Sequence, residues 1–157
     1  MFAVHLFTAD DKRMESVRAV RRSVFIKSLG VSEDEEFDRY DEYGNPALFA
    51  LLTEEDVPCG TGRLVISKDN YKIGRIAFLP QCRGKGYGTV LVKTLLQKAF
   101  SMGAECVFVD ARDEAVPFYE KIGFAPCGDY FEERGMTHLP MRIRKEELRS
   151  CGGTQNG

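Results

Sequence analysis

The sequence has few of the residues that build metal sites. It contains only two histidines, His5 and His138, which lie far apart, and its five cysteines include no CxxC pair. Zinc sites in proteins draw their ligands from closely spaced Cys and His pairs, so we expect no metal. An odd number of cysteines without paired spacing also predicts reduced thiols, which are typical of a cytosolic protein.

Long hydrophobic runs and an excess of one charge are missing as well. No segment approaches the roughly 20 apolar residues of a membrane-spanning helix, and the start, MFAVHLFTADD, lacks the basic and apolar regions of a signal peptide. The net charge is −2, which gives no global attraction to nucleic acid or to an anionic membrane. We therefore expect a cytoplasmic protein without either partner, in which anion binding is local.

The residues that are present predict one domain of mixed α/β class. At 157 residues with 43% hydrophobic content, the chain can bury a substantial core without cross-links. We expect a single domain over 1–149 and a flexible tail over 150–157, because SCGGTQNG is small and polar.

Periodicity and turn residues predict the order of the elements. Strands are expected over 2–7, 47–53, 60–68, 71–79, 106–109, 124–131 and 136–144. Helices are expected from Asp10 or Asp11 to Gly30, after Ser32, and over 87–102 and 114–122. An antiparallel meander followed by strand–helix–strand–helix gives a mixed sheet.

A glycine-rich loop, QCRGKGYGTV, lies between the strand over 71–79 and the long helix. Gly84, Gly86 and Gly88 allow the backbone to approach a ligand closely, and Arg83 and Lys85 add positive charge. The N–H groups at the start of the following helix favour an anion such as a phosphate or pyrophosphate.

Other readings of this loop remain open on spacing alone. The P-loop pattern fails because Leu79 stands where its first glycine belongs, and the dinucleotide pattern GxGxxG fails because Thr89 stands where its third glycine belongs. An ordinary strand-to-helix turn rich in glycine is the simplest alternative.

Two motifs resemble the GNAT superfamily of N-acetyltransferases. Gln81-x-Arg83-Gly84-x-Gly86 matches the Q/R-x-x-G-x-G/A motif of that superfamily, and FYEKIGF at 118–124 resembles its FYxKxGF segment. The resemblance covers nearly the whole chain, and it implies a GNAT-type acyl-CoA N-acyltransferase fold. In that fold an antiparallel N-terminal meander and splayed central strands are flanked by helices.

A narrower resemblance is to the small ElaA/YjcF-type acetyltransferases. It rests on VF at 24–25, GV at 30–31, EEFD at 35–38 with Asp41, GxGRL at 60–64, and His138. The sequence departs from that pattern at Ser28 and Leu29, and it lacks a histidine near Pro46. Both departures fall on the expected acceptor side, so the resemblance does not identify the acceptor.

The resemblance implies that acetyl-CoA lies between the strands over 71–79 and 106–109. Its pantetheine arm would pair with the main chain at 76–78, and its pyrophosphate would meet N–H groups over 83–89. The cofactor-binding residues implied are Ile76, Ala77, Phe78, Arg83, Gly84, Lys85, Gly86, Tyr87, Gly88, Thr89, Phe118 and Tyr119.

The implied catalytic residues are Tyr119 and His138. Full proton transfer from a free tyrosine to a thiolate is uphill by about 2 kcal/mol, so Tyr119 is expected to donate a hydrogen bond to the leaving sulfur. Histidine is the side chain that most often exchanges protons near neutral pH, so His138 would relay the proton of the amine. The alternatives are a core tyrosine, a structural histidine, and a base among Glu35, Glu36, Asp38 and Asp41. Those acids are otherwise a solvated helix end.

The resulting prediction is an enzyme that transfers acetyl from acetyl-CoA to a primary amine by direct attack. No cysteine lies in a recognisable nucleophile setting, so no acetyl-enzyme is expected. Three alternatives remain: a non-catalytic acyl-CoA-binding module, a nucleotide-dependent oxidoreductase, and a protein-binding surface on the helix over 13–27. The sequence is compatible with a homodimer, and it does not identify the amine.

Overall fold

A mixed sheet forms the centre of the computed structural model, which describes residues 1–68 and 70–148. Within those residues it has eight strands: β1 (Phe2–Phe7), β2 (Ala47–Glu54), β3 (Val57–Ser67), β4 (Asn70–Phe78), β5 (Cys106–Arg112), β6 (Ala125–Pro126), β7 (Phe131–Glu133) and β8 (Met136–Arg144). The helices are α1 (Met14–Arg21), α2 (Glu33–Glu36), α3 (Tyr87–Ser101) and α4 (Val116–Ile122), and α1 continues as a π-helix over Arg22–Ser28.

The strands follow the order β1-β2-β3-β4-β5-β8-β6, and β7 also pairs with β8. Only the pair of β4 and β5 is parallel, among the described strands; the other pairs are antiparallel. The predicted α/β class with a mixed sheet and an N-terminal meander is therefore confirmed.

Strand β2 shows why the sheet carries helices on both faces. Its residues are buried almost without interruption, as expected for a strand covered on both sides. Phe49 and Leu51 pack in one cluster with Val17 of α1, whereas Ala50 and Leu52 belong to the larger cluster that contains the apolar face of α3. The core therefore lies in two layers, with α1 on one face and α3 on the other.

The central strands β4 and β5 splay apart, as the resemblance implies. They pair only over Tyr71–Ile73 and Val107–Val109, although each continues beyond that point. A register shift between β3 and β4 places Gly74 opposite Arg63 and Ala77 opposite Thr61, so β4 contains one extra residue. Arg75 in this bulge has a φ of 55°. A bulge bends its strand, and here it lies where the gap opens.

The first helix ends next to Gly30, as predicted; Gly30 has a φ of +76°. Its start differs from the prediction, because the N-cap of α1 is Arg13 and makes no side-chain capping bond, whereas Asp11 accepts the Arg13 N–H at 2.9 Å. The strand expected over 124–131 is wrong, because only Ala125–Pro126 and then Phe131 pair with β8. Cys127 still donates to the Pro140 carbonyl at 2.9 Å, but Pro140 has no N–H to return and the ladder stops.

Asp69-Asn70 is typical of a turn between two strands, but Asp69 and the predicted tail over 150–157 lie outside the described residues. In the part of the chain that the structure describes, no helix is both long enough and apolar enough to cross a membrane.

Candidate active site

The glycine-rich loop and the start of α3 surround a cavity of about 280 Å³. Gly84 and Gly86 both have a φ of +79°, a left-handed conformation that glycine adopts at little cost. Gly86 is also the N-cap of α3, whose first N–H groups have no intrahelical acceptor and carry partial positive charge. The lining residues are Phe78, Cys82, Arg83, Gly84, Gly86, Tyr87, Gly88, Thr89 and Phe118.

The two cations of the loop are placed differently. Arg83 lines the cavity, and its Nε donates to the Phe78 carbonyl at 2.9 Å. Lys85 instead places its Nζ 2.9 Å from Glu54 Oε1, and it does not line the cavity. The pKa of Glu54 is lowered, mainly by the hydrogen bond from the Tyr87 hydroxyl and to a lesser extent by the hydrogen bond from Lys85. Anion binding by Lys85 stays a prediction.

A disulfide between Cys59 and Cys82 corrects the expectation that all five cysteines are reduced. It joins β3 to the short turn that opens the loop, with the two Cα atoms 5.7 Å apart. Cysteine spacing did not suggest the pair because the two residues are 23 positions apart. Cys106 and Cys127 are free, and Cys151 lies outside the described residues.

The gap between β4 and β5 exposes main-chain groups of β4. The Leu79 N–H donates to the Cys59 carbonyl at 2.9 Å, and Ala77 lies opposite Thr61 in the same register. Hydrogen-bonding direction alternates along an antiparallel strand, so the main chain of Phe78 points away from β3 and into the gap. The main chain of Ala77 points to β3, and the structure does not bring it to the gap.

Tyr119 lies on α4 at a cavity of about 140 Å³. Its side chain is buried, with edge-to-face ring contacts to Phe118 at 5.0 Å and Phe124 at 5.4 Å between centroids. Its hydroxyl makes no hydrogen bond with any residue that the structure describes. Burial raises the pKa of Tyr119, so the hydroxyl stays protonated and serves as a donor.

His138 lines the same cavity from β8. Its ring stacks on Phe131 at 5.5 Å, and its Nδ1 lies 3.0 Å from the Met136 carbonyl. Because a carbonyl only accepts, this contact places the hydrogen on Nδ1 and leaves Nε2 as an acceptor. The structure thus brings both predicted catalytic residues to one cavity.

A second cavity, of about 350 Å³, adjoins the first. The two share Gly74, Arg75, Asp110, Arg134 and His138. Beside them lies a partly buried cluster of four arginines and three carboxylates, which we call the arginine cluster: Arg21, Arg63, Arg75, Arg134, Glu36, Asp38 and Asp41.

The arginine cluster corrects the view of the acidic run as a solvated helix end. Glu36 and Asp41 are buried, and Arg21 donates to both, at 2.7 Å and 2.6 Å. Burial acts to raise the pKa of Asp41, but the hydrogen bond of Arg21 and the charges of Arg21 and Arg63 outweigh it, so the pKa is lowered. A carboxylate held in this way is a poor general base, whereas Glu35 is exposed.

The family assignment follows from comparison with known proteins. A model of the acetyltransferase (GNAT) domain matches residues 9–145, most of the chain. The chain belongs to the GNAT family.

Relatives and solved structures agree with this assignment. The GNAT chain is 33% identical over 122 residues to the uncharacterized protein YyaT of Bacillus subtilis, covering 78% of this chain and 82% of that protein. It is 32% identical over 134 residues to the uncharacterized N-acetyltransferase YjcF of the same organism, covering 84% and 93%.

Two crystal structures share the fold. Escherichia coli ElaA superposes with a TM-score of 0.81 at 21% identity, covering 92% of this chain and 100% of that one. An acyl-CoA N-acyltransferase from Pseudomonas aeruginosa superposes with a TM-score of 0.80 at 21% identity, covering 91% and 99%. At these identities the likeness establishes the GNAT fold alone.

Sequence reasoning missed the arginines of this GNAT site. Arg75 and Arg134 line both cavities, but no motif in the sequence predicts either as a site residue. One signal was available for Arg63, which interrupts the apolar run of β3 between Gly62 and Leu64. Charged residues are rarely buried without a partner, so a charge within a buried strand indicates a cluster even where its members are unknown.

Proposed function

We propose that this GNAT chain is an acetyl-CoA-dependent N-acetyltransferase that acetylates a primary amine by direct attack. The observation that carries the proposal is the position of Phe118 and Tyr119. Phe118 lines the loop cavity and also the cavity that Tyr119 and His138 line. The two cavities therefore adjoin the same side chain, along which a cofactor held at the loop would extend toward Tyr119.

In this proposal the pyrophosphate lies against Arg83 and the N–H groups at the start of α3. The pantetheine arm pairs with the main chain of Ile76 and Phe78 in the gap between β4 and β5, as an added strand does at a sheet edge. A Cβ at Gly88 would lie 3.4 Å from the Phe118 ring, which is ordinary van der Waals contact, so packing against Phe118 does not by itself require a glycine there. Ala77 and Lys85 are the predicted residues with the least support.

The amine nitrogen attacks the thioester carbonyl carbon, and the C–S bond breaks. The main-chain N–H groups of Ile76 and Phe78 stabilise the carbonyl oxygen as it gains charge. Nε2 of His138 accepts the proton that the amine loses, and Tyr119 donates a hydrogen bond to the leaving sulfur. Since burial raises the pKa of Tyr119 further above that of a thiol, a hydrogen bond is favoured over complete proton transfer. The products are an N-acetyl amine and CoA.

Calorimetric titration with CoA, acetyl-CoA, NAD and ATP tests the cofactor assignment. We expect binding of the two CoA forms only, and a series of longer acyl-CoA thioesters then tests the preference for acetyl. Mass spectrometry of acetylated products across an amine panel tests the reaction. Binding of acetyl-CoA without any product would indicate the non-catalytic acyl-CoA-binding module, and tight NAD binding without CoA binding would refute both.

A cytoplasmic location and a single domain over 1–149 are part of the proposal. Disulfides are uncommon in reducing compartments and, where present there, are usually transient or redox-sensing. A cytoplasmic location therefore implies that the Cys59–Cys82 disulfide forms and breaks with the redox state of the cell. Fractionation of cells that produce the chain, with thiols alkylated at lysis, tests the location and the redox state together.

A further inference from the structure

The cavity that Tyr119 lines has more positive than negative side chains. Arg75, Arg112 and Arg134 line it, and Asp110 is the one carboxylate among its lining residues. Arg112 is compensated by Glu114 at 3.0 Å, and Asp110 is itself paired with Lys72. Arg75 and Arg134 therefore account for the positive charge that faces the proposed acceptor.

The compensation of Arg75 and Arg134 depends largely on one carboxylate. Glu36, which is fully buried, pairs with Arg21 at 2.7 Å, with Arg75 at 3.3 Å and with Arg134. Asp38 adds only a contact of 3.5 Å to Arg75. Arg21 is also paired with Asp41, and across the whole arginine cluster four guanidinium groups face three carboxylates, which leaves one positive charge in surplus.

Two donors without a partner lie in the arginine cluster. The Nε groups of Arg63 and Arg134 are buried and have no hydrogen-bond partner within the described residues; Arg63 lines the second cavity, and Arg134 lines both. A buried polar group without a partner costs free energy. A ligand that accepts a hydrogen bond there would recover that cost.

The state of Arg75 agrees with a surplus of cations. Burial lowers its pKa to about 10, and the charges of Arg63 and Arg134 lower it in the same direction despite the opposing charge of Glu36. At neutral pH the group is still protonated, so it remains a cation that would gain from an added anion.

We propose that the amine acceptor carries a carboxylate, which Arg134 and Arg75 bind while its amino group lies toward Tyr119. This inference rests on the proposed N-acetyltransferase function and defines its substrate class as small amino acids. Guanidinium groups bind carboxylates through paired, charge-assisted hydrogen bonds. The carboxylate would balance the one positive charge that Glu36, Asp38 and Asp41 leave in surplus, and the cavity of about 140 Å³ favours a compact acid.

A matched amine panel tests the proposal. Each L-α-amino acid is compared with its amide and with the amine left after formal loss of the carboxylate, and O-phosphoethanolamine serves as a phosphate-bearing amine. Acetylated products are quantified by mass spectrometry at saturating acetyl-CoA. We expect kcat/KM for the acids to exceed that for their amides and simple amines by about tenfold to a hundredfold, the usual effect of a charge-assisted hydrogen bond.

Substitutions at Arg134 test whether this residue causes the preference for acids. Arg134→Gln should raise KM for the acids by about tenfold to a hundredfold and change KM for the amides little, whereas Arg134→Lys should recover part of the loss. Arg142→Gln is the control, because it removes the same charge from an exposed position on β8 outside both cavities. An unchanged acetyl-CoA affinity in each variant shows that the protein is folded.

A calorimetric titration of the acids into the CoA-bound protein separates this inference from the proposed reaction. Binding of acids that is lost in Arg134→Gln and kept in Arg142→Gln supports the carboxylate site even if no amine is acetylated, in which case only the reaction fails. Equal use of acids and amides, a preference for the phosphate-bearing amine, or no binding of any acid would each overturn the inference.

Discussion

Replacing Tyr119 by Phe removes one hydroxyl and keeps the ring. The edge-to-face contacts with Phe118 and Phe124 remain available to phenylalanine, and the hydroxyl has no hydrogen-bond partner among the described residues. We therefore expect the free energy of unfolding to change by no more than about 0.5 kcal/mol and acetyl-CoA affinity to be unchanged. The rate should fall by about 100-fold, or about 2.7 kcal/mol, the low end for such assistance, because a thiolate is already a fair leaving group.

The assay is a single-turnover measurement with acetyl-CoA bound and an accepted amine in excess. This design excludes product release, which would otherwise mask a slower chemical step. Burial raises the pKa of Tyr119, so the hydroxyl remains protonated through neutral and moderately alkaline pH. The ratio of the wild-type rate to the Tyr119→Phe rate should therefore stay constant up to about pH 10, the ordinary pKa of tyrosine. An equal single-turnover rate in both proteins would refute a catalytic role and leave Tyr119 as a core residue.

Three further predictions follow from the loop, the arginine cluster and the disulfide. Gly86→Val should lose most of its CoA affinity in calorimetry. Gly30→Val is the control and should keep that affinity, because Gly30 has a φ of +76° against +79° for Gly86 and lies in equally open surroundings, so the backbone penalty is similar. Equal losses of affinity in the two variants would place the anion away from the loop. Burial acts to raise the pKa of Asp41, but its arginine partners outweigh burial, and the pKa is lowered. The stabilising effect of the Asp41 carboxylate is therefore fully present above the unfolded value of about 3.9, and it is lost as pH falls through the folded-state pKa. Urea midpoints should thus fall more steeply below pH 4 in the wild type than in Asp41→Asn, and parallel curves would contradict this. If Cys59 and Cys82 form the disulfide, thiol alkylation of the denatured wild-type protein should add two fewer alkyl groups before reduction than after it, and identical labelling would exclude the disulfide. Because the two cysteines are 23 residues apart, reduction should lower the free energy of unfolding by about 3 kcal/mol.

The sequence predicts the cofactor half of the site better than the acceptor half. The loop cavity is built from residues 78–89 and Phe118, and its shape follows from local causes, namely glycines with positive φ and the start of a helix. Motif spacing detects such a site because the shape of the site depends on the order of neighbouring residues in one short segment. The main-chain direction of Ala77 was not predictable in this way, since it depends on the register with β3.

The acceptor half depends on contacts between distant segments. Arg134 meets Glu36 across 98 residues, and the Cys59–Cys82 disulfide spans 23. Neither pairing has a local pattern, because burial and sheet topology bring the partners together. The same cause explains the error at 124–131, where Pro140 of the neighbouring strand, rather than any residue of the segment itself, ends the ladder.

The sharing of Glu36 also has a consequence for the order of folding. Its three arginine partners come from α1, from β4 and from the turn before β8, at separations of 15, 39 and 98 residues. Contacts between distant segments form only after the intervening loop has closed, and they slow folding accordingly. We expect the acceptor half to assemble last, after the meander and the N-terminal segment have docked. A nascent or partly folded chain would therefore acquire its cofactor cradle before it can select an acceptor.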